Sequence, residues 1–462
     1  MITHSKHHHS SDNHMPASVQ VRKADVVTPS EPTPTHVLRL SALDSQLFLR
    51  FPVEYLLVYK APAHGLDRAT TTARVKAALS RALVPYYPLA GRVRAVADGP
   101  GLEVVCSAQG AIFVEAFSDC TASEFERAPR HCNQWRKLLS SHVDEVLKGA
   151  PPLAVQLTWL SDGAATLGVG FSHCLCDGIG SGEFLNSFAE LASRAKSTTG
   201  ANEFKPTPVW ARHLMDPSPF RILPCTVNSA LSHPEFKKVP DLCGFASRFS
   251  QERLTPTSVT FDRKCLNELK RLAMRAGRLS ESSYTAFEVL AAHVWRSWAK
   301  SLNLASKQVV KLLFSVNIRN RVKPSLPSGY YGNAFVLGCA EVCVKDLIEK
   351  GLSHATELVK RAKETVDDGY VRDVVETVST SRACPDSVGV LIMSQWSRLG
   401  LERVDFGMGR PVEVGPVCCD KYCILLPVHN QRDAVKVNLA VPTNSVDQYV
   451  HLLRLGARMP EE

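Results

Sequence analysis

Apolar residues recur along the chain with two periods, and the period predicts the element. VEYLLVYKA at 53–61 and AATLGVGFSH at 164–173 are short runs rich in β-branched and aromatic residues, which predicts strands. TTARVKAALSRALVPYY at 71–87 spaces its apolar residues three and four apart, which predicts a helix stopped by Pro85 and Pro88, with PLAGR following as a turn. SGEFLNSFAELASRA at 181–195 places Leu185, Phe188, Leu191 and Ala192 on one face. That pattern is an amphipathic helix entered from a glycine turn.

From about residue 196 to 255 the periodicity fades into KSTTGANEFKPTP, PSPFRILP and HPEFKKVPD. So long an irregular stretch inside a compact chain reads as a crossover between two domains. Beyond it, SVTFDRKCLNELKRLA predicts a strand leading into a helix. SSYTAFEVLAAHVWRSWAKSL at 282–302 predicts a strong helix with Ser282 or Ser283 as N-cap. VVKLLFSVNIR, VGVLIMSQW, YCILLPVHN and AVKVNLAVP are strands, and KDLIEKGLSHATELVKRAKETVDD is helical. The expected division is a disordered tail at 1–18, a first domain at 19–200, a crossover loop at 201–255 and a second domain at 256–462. The tail, polar with three consecutive histidines, is left out of the fold reasoning as disordered or partly an expression remnant.

Composition agrees with this division. The 462 residues exceed one ordinary core, and 45% apolar with 21% charged is a soluble globular composition. No run of 18 or more apolar residues occurs and the polar start lacks the apolar core of a secretory signal, so a cytoplasmic protein without an integral membrane segment is expected. The 14 cysteines are scattered, several in apolar runs, and no C-x-x-C pair exists. They read as reduced packing thiols, with no metal site expected. A formal charge of +9 comes without a long Lys/Arg block or a nucleic-acid signature and suits an anionic small molecule at least as well as a polynucleotide; no nucleic-acid partner is expected.

The candidate chemistry is concentrated in FSHCLCDGIGSGEFL at 171–185. H-x-x-x-D occurs three times, at His8/Asp12, His173/Asp177 and His429/Asp433. Only His173 and Asp177 combine a preceding apolar strand, a following D-G-x-G turn and a helix. A strand that ends abruptly near Gly178 and Gly180 holds its last side chains at a sheet rim, where an imidazole is suited to proton transfer near neutral pH. On the residues alone, a satisfied structural histidine remains the alternative. GFSHC resembles a hydrolase nucleophile elbow, but Cys174 stands where that turn needs its second glycine, which makes Ser172 a poor nucleophile. DGIGSG lacks phosphate-loop spacing. Cys174 and Cys176 read as buried thiols.

With these residues in view the chain resembles the BAHD acyltransferases, plant enzymes that transfer acyl groups from coenzyme A thioesters to alcohols or amines. FSHCLCDG looks like their H-x-x-x-D-G signature. ALVPYYPLAGR (82–92), SSYTAFEVLAAHVWR, SVNIRNRVKPSLPSGYYGNAF (315–335) and DFGMGRP (405–411) resemble further blocks in the family's order. Met408 replaces the usual tryptophan of D-F-G-W-G, and Asn317 stands where aspartate is usual.

The resemblance implies an α/β fold of two similar mixed-sheet domains, chloramphenicol-acetyltransferase-like, with a channel between them, and a monomer. It implies an O-acyltransferase that uses acyl-CoA as co-substrate, with no permanently bound cofactor and no metal, and an aromatic acyl group such as hydroxycinnamoyl or benzoyl. His173 is the general base. Asp177 is structural and pairs with an arginine, by motif position Arg319, to hold the turn after His173, with a Ser-His-Asp-style relay as the alternative; Gly178 supplies the tight turn. Asp405, Gly407 and Gly409 are structural support. Ser282, Ser283 and Thr285, at the start of a helix, suit coenzyme A contacts or plain N-capping, and Lys264 and Lys270 suit its phosphates or a solvated helix face. N-acylation of an amine or polyamine and a noncatalytic binding protein are the other readings; retention of His173 in its context argues against the last.

Overall fold

The computed structural model describes residues 18–457 except 64, 98, 100, 128–137, 140–142, 194–204, 218–232, 276–283, 382 and 417–421. All but Ser18 of the expected tail lies outside them. Ser18 itself is tied to the fold, its N–H donating to Asp119 Oδ1 at 2.8 Å.

The strands are β1 (Val19–Val27), β2 (His36–Arg39), β3 (Pro52–Tyr59), β4 (Arg92–Ala95), β5 (Leu102–Cys106), β6 (Ala111–Ser118), β7 (Leu153–Trp159), β8 (Ala165–Ser172), β9 (Leu254–Phe261), β10 (Val309–Asn317), β11 (Phe335–Cys343), β12 (Val390–Gln395), β13 (Glu413–Pro416), β14 (Cys423–Val428) and β15 (Gln431–Pro442). They form two six-stranded mixed sheets, β1-β6-β7-β8-β3-β13 and β11-β10-β12-β14-β15-β9, with a small sheet β2-β5-β4. β6 and β7 run parallel in the first, and β10, β12 and β14 run parallel in the second. The longer helices are α1 (Arg68–Ala82), α2 (Gly178–Ser193), α3 (Arg263–Arg275), α4 (Ala286–Ser301), α5 (Gly351–Glu364), α6 (Asp368–Thr380) and α7 (Val446–Gly456).

β7 and β8 are buried at every position, which is why LAVQLTW and ATLGVGFS read as near-continuous apolar runs. Gly168 in β8 is required by that crowding: a Cβ there would lie 2.5 Å from the Leu138 carbonyl oxygen. Each six-stranded sheet has its own apolar core.

Several expected boundaries shift. The helix expected at 71–87 spans Arg68–Ala82, ahead of its prolines. The helix expected from 181 begins at Gly178, so the glycines read as a turn are its first residues. The long helix expected from 345 is interrupted at Lys350 and Gly351, where Gly351 has φ +81°, and α6 follows as a separate helix. Inside the irregular crossover, Val209 bridges to Tyr330 and a short helix covers Phe245–Gln251.

β13 was not expected at all. Though late in the chain, it pairs antiparallel with β3 and completes the edge of the first sheet. Leu401, Val404, Phe406, Met408, Ile424 and Leu426 likewise pack into the first core. The DFGMG segment therefore lies against the first half.

Candidate active site

The site is built around the end of β8. His173 keeps one more bond of the ladder with β3, its main-chain N–H donating to the Phe51 carbonyl at 3.0 Å. A turn closes from the Leu175 N–H to the Ser172 carbonyl at 3.0 Å. Asp177 then starts α2: its carbonyl accepts from the Ser181 N–H at 2.9 Å and its Oδ1 from the Gly180 N–H at 2.9 Å, as an N-cap does.

The Asp177 carboxylate is fully occupied. Arg319 grips it with two near-parallel bonds, Nη1 to Oδ2 at 2.8 Å and Nη2 to Oδ1 at 2.9 Å, and the Ala334 N–H adds 3.0 Å to Oδ2. Burial alone would raise its pKa, but the charge and hydrogen bonds of Arg319, with the Gly180 and Ala334 N–H groups, outweigh burial and hold it below the usual carboxylate range. Arg319 also donates to the carbonyls of Tyr330 and Gly332, and Asn317 Oδ1 accepts from the Arg319 N–H at 3.1 Å. Asp177 thus ties the turn after His173 to the strand ends of the other half.

Gly178 has no positive φ, and a Cβ there would meet only the flexible end of Leu399 at 3.2 Å. The glycine that the geometry requires is Gly180, where a Cβ would lie 2.0 Å from the Tyr331 carbonyl oxygen. The tight turn assigned to Gly178 is therefore a helix start, and the close approach belongs two residues later.

A second buried ion pair was not foreseen. Arg212, from the crossover, forms an ion pair with Asp44, its Nε 3.0 Å from Asp44 Oδ2, with side chains 2% and 0% exposed. Its guanidinium also donates to the Leu175 carbonyl at 2.7 Å and stacks on Trp210, 4.2 Å from the ring centre. Asp44 Oδ1 accepts from both the main-chain N–H and the Nδ2 of Asn333, and Asn333 Nδ2 reaches the His173 carbonyl at 2.7 Å. No local signal marks these residues: Asp44 lies in SALDS, Asn333 in YYGNAF and Arg212 in an irregular segment.

The His173 imidazole is half-buried between aromatic rings, with centroids at 5.2 Å from Phe51 and 5.8 Å from Phe335, and Phe51 stacks on Tyr422 at 5.6 Å. Burial pushes its pKa below the ordinary value; its own main chain, the Asn333 side chain and the Asp177 and Asp44 charges pull the other way without overcoming burial. The ring is neutral at neutral pH, the form that accepts a proton. Nδ1 is buried without a hydrogen-bond partner. Cys174 and Cys176 are buried free thiols, the Cys174 pKa pushed up to about 11 by burial. At the other H-x-x-x-D, His429 Nδ1 contacts the Pro411 carbonyl at 3.0 Å while exposed Asp433 lies 3.6 Å from Arg263.

Ser282 and Ser283 lie outside the described residues. Thr285 is the N-cap of α4 in a reciprocal capping box, its Oγ1 accepting from the Glu288 N–H while Glu288 accepts from the Thr285 N–H. With its hydroxyl so engaged and a carboxylate beside it, Thr285 offers an anion little. Lys264 lines an open groove between α3 and the β14–β15 hairpin, and no lining residue of that groove belongs to the His173 site. At DFGMG, Asp405 Oδ1 accepts from the N–H groups of Gly407, Met408 and Gly409, and the two glycines take φ +78° and +87°. Met408, 5% exposed, fills the first core.

Comparison with known proteins places this geometry. Residues 17–452 match the model of the Transferase family. The chain is 34% identical over 439 residues to an omega-hydroxypalmitate O-feruloyl transferase of Arabidopsis thaliana, covering 93% of this chain and 92% of that protein. It is 32% identical over 435 residues to a 3'-N-debenzoyl-2'-deoxytaxol N-benzoyltransferase of Taxus canadensis, covering 91% and 92%. The crystal structure of vinorine synthase superposes with a TM-score of 0.68 over 95% of this chain and 98% of that one, at 22% identity, a likeness of fold.

Proposed function

The chain belongs to the Transferase family, the BAHD acyltransferases, and from that premise we propose that it moves an aromatic acyl group, hydroxycinnamoyl or benzoyl, from coenzyme A to an alcohol, with His173 as general base. The observation that carries this reading is the imidazole itself: neutral through burial, held at a strand end by Phe51 and Asn333, beside aromatic rings. The rings of Phe51, Phe335 and Tyr422 favour an apolar, planar acyl group over a charged one.

The thioester is already activated, so what the protein must supply is an oxygen nucleophile. Nε2 of His173 takes the hydroxyl proton as the alcohol oxygen attacks the thioester carbonyl carbon, a contribution of about 10²- to 10⁴-fold. The tetrahedral intermediate collapses with cleavage of the C–S bond. The thiolate then takes the proton from the imidazolium, giving an ester, free coenzyme A and neutral His173. Asp177 takes no part in this transfer, because all its bonds go to Arg319 and to main-chain N–H groups.

The test is a panel of acyl-CoAs against alcohols and amines, followed by release of free thiol, with His173→Ala as control. We expect turnover with hydroxycinnamoyl- or benzoyl-CoA and an alcohol, and its loss in the variant. Undiminished turnover in His173→Ala would sink the mechanism. Acylation of amines alone would favour the N-acyl reading, which the identity to an N-benzoyltransferase keeps in view.

A further inference from the structure

We propose that Asp44 is a positioning residue for His173: through Asn333 and Arg212 its carboxylate holds the main-chain carbonyls of residues 173 and 175, and so fixes where the imidazole stands. This deepens the reading of His173 as base and rests on it.

The geometry is a clamp with two arms. Asp44 Oδ1 accepts from Asn333 Nδ2 at 2.8 Å, and the same amide nitrogen donates to the His173 carbonyl at 2.7 Å. Its two hydrogens are spent on these two acceptors, so one side chain links the carboxylate to the histidine main chain. Asp44 Oδ2 lies 3.0 Å from Arg212 Nε, and Arg212 Nη2 donates to the Leu175 carbonyl at 2.7 Å. The β3 ladder ends with the bond from the His173 N–H to the Phe51 carbonyl. Beyond it, the carbonyls at 173 and 175 are where the clamp takes hold of the turn.

Each part of the clamp is itself fixed. Asp44, Asn333 and Arg212 are all buried. Ser41 donates to Asp44 Oδ2 through its N–H at 3.1 Å and its hydroxyl at 2.7 Å, and the Asn333 N–H donates to Oδ1 at 2.9 Å. Arg212 is wedged among rings, its guanidinium carbon 4.2 Å from the Trp210 centroid and 4.9 Å from that of Tyr331. Gly332 leaves it that room, since a Cβ there would lie 2.0 Å from Arg212 Nη1. Asp177 acts elsewhere: it caps α2, and its partner Arg319 reaches the carbonyls of Tyr330 and Gly332. The placement matters because a base must meet its proton within about 3 Å, and a misplacement of about 1 Å can cost about 10²-fold in rate.

The test is kinetic, with and without the base, on the acyl-CoA and alcohol pair turned over fastest in the panel above, with coenzyme A as the binding probe. Asp44→Asn keeps the shape of the side chain but sets an NH2 group against donors whichever way the amide turns. Its kcat should fall about 10- to 10²-fold, while KM for acyl-CoA and the affinity for coenzyme A hold. In a His173→Ala background the same substitution should leave the residual turnover unchanged, because a residue that acts through His173 has nothing left to position. A merely structural aspartate would lower turnover by the same factor in both backgrounds. Equal loss in both, an unchanged kcat in Asp44→Asn, or a loss confined to KM overturns the proposal. If Asp44→Asn does not fold because Arg212 is left unpaired, the double variant Asp44→Asn/Arg212→Met removes both charges and carries the same readouts. A measurement without substrate separates the clamp from the reaction: in histidine-labelled protein the His173 ring signal, assigned by difference from His173→Gln, should be single and sharp in the wild type and broadened or doubled in Asp44→Asn. An equally sharp single signal in the variant overturns the clamp. Undiminished turnover in His173→Ala would retire the base, and the spectrum would still decide whether Asp44 fixes the ring.

Discussion

His173 stays neutral because burial outweighs every charge that would protonate it. The sign of its pH dependence follows. The proposed transfer needs the neutral ring and the folded pKa lies below the ordinary value of about 6.5, so kcat/KM should hold level through that pH and fall only below it. An acid-limb midpoint above about 6.5 would contradict this. The Asp177–Arg319 pair makes a prediction about stability. Removing either partner strands a buried charge, so Asp177→Ala or Arg319→Ala should each cost about 3 to 5 kcal/mol in denaturant unfolding, and the double variant less than their sum. Strict additivity would mean the two are not coupled. His173 was legible in the sequence because its cues are contiguous: apolar strand, H-x-x-x-D-G, helix. Asn333 and Asp44 were not, because Asn333 reaches His173 across 160 residues and Asp44 reaches Asn333 across 289, and nothing in the local sequence of either shows that contact.

At the scale of elements, the glycines of α2 separate two physical roles that the motif merges. A Cβ at position 178 meets a leucine terminus that can move, whereas one at 180 meets backbone at 2.0 Å that cannot. Gly178→Ala should therefore keep activity and shift stability by less than about 1 kcal/mol. Gly180→Ala should push α2 off the 330–334 segment, cost at least the ~1 to 3 kcal/mol of overpacking, and lower turnover with it. Equal behaviour of the two in thermal unfolding and turnover assays would refute this account. Packing of α4 on α7 makes a second prediction. His293 is buried there with Nε2 beside the Leu453 carbonyl at 2.9 Å, and burial lowers its pKa to about 4. Below about pH 6.5 the unfolded chain binds the proton that the folded one refuses, so this residue's share of stability is present above that pH and is lost as pH falls through about 4. Urea midpoints should drop across that window, and less steeply in His293→Gln. The helices themselves were legible from apolar spacing. Their starts were not, since a cap such as Thr285 depends on which residue's side chain finds the free N–H groups.

The whole molecule is latched across its halves by β13 on β3, by Asp177–Arg319 and by Asp44 with Asn333. A first half cut in the crossover loses the strand that covers the β3 edge and the Phe406 and Leu426 side chains of its core. Residues 18–193 alone should therefore lack a cooperative unfolding transition by circular dichroism, and co-expression with 233–457 should restore it; a stable isolated half would show that the latch is dispensable. The sequence by itself determined many of the secondary elements, the α/β class and the family, and singled out His173 as the candidate for proton transfer, because periodicity and contiguous motifs are properties of neighbouring residues. Only the tertiary structure decided that DFGMG and β13 serve the first half, that Gly180 rather than Gly178 is sterically required, and that Arg212, Asp44 and Asn333 stand behind His173. Those contacts join residues far apart in the chain, and the energy of a buried charge or an unmet hydrogen bond is set by what surrounds it after folding, which no local pattern records.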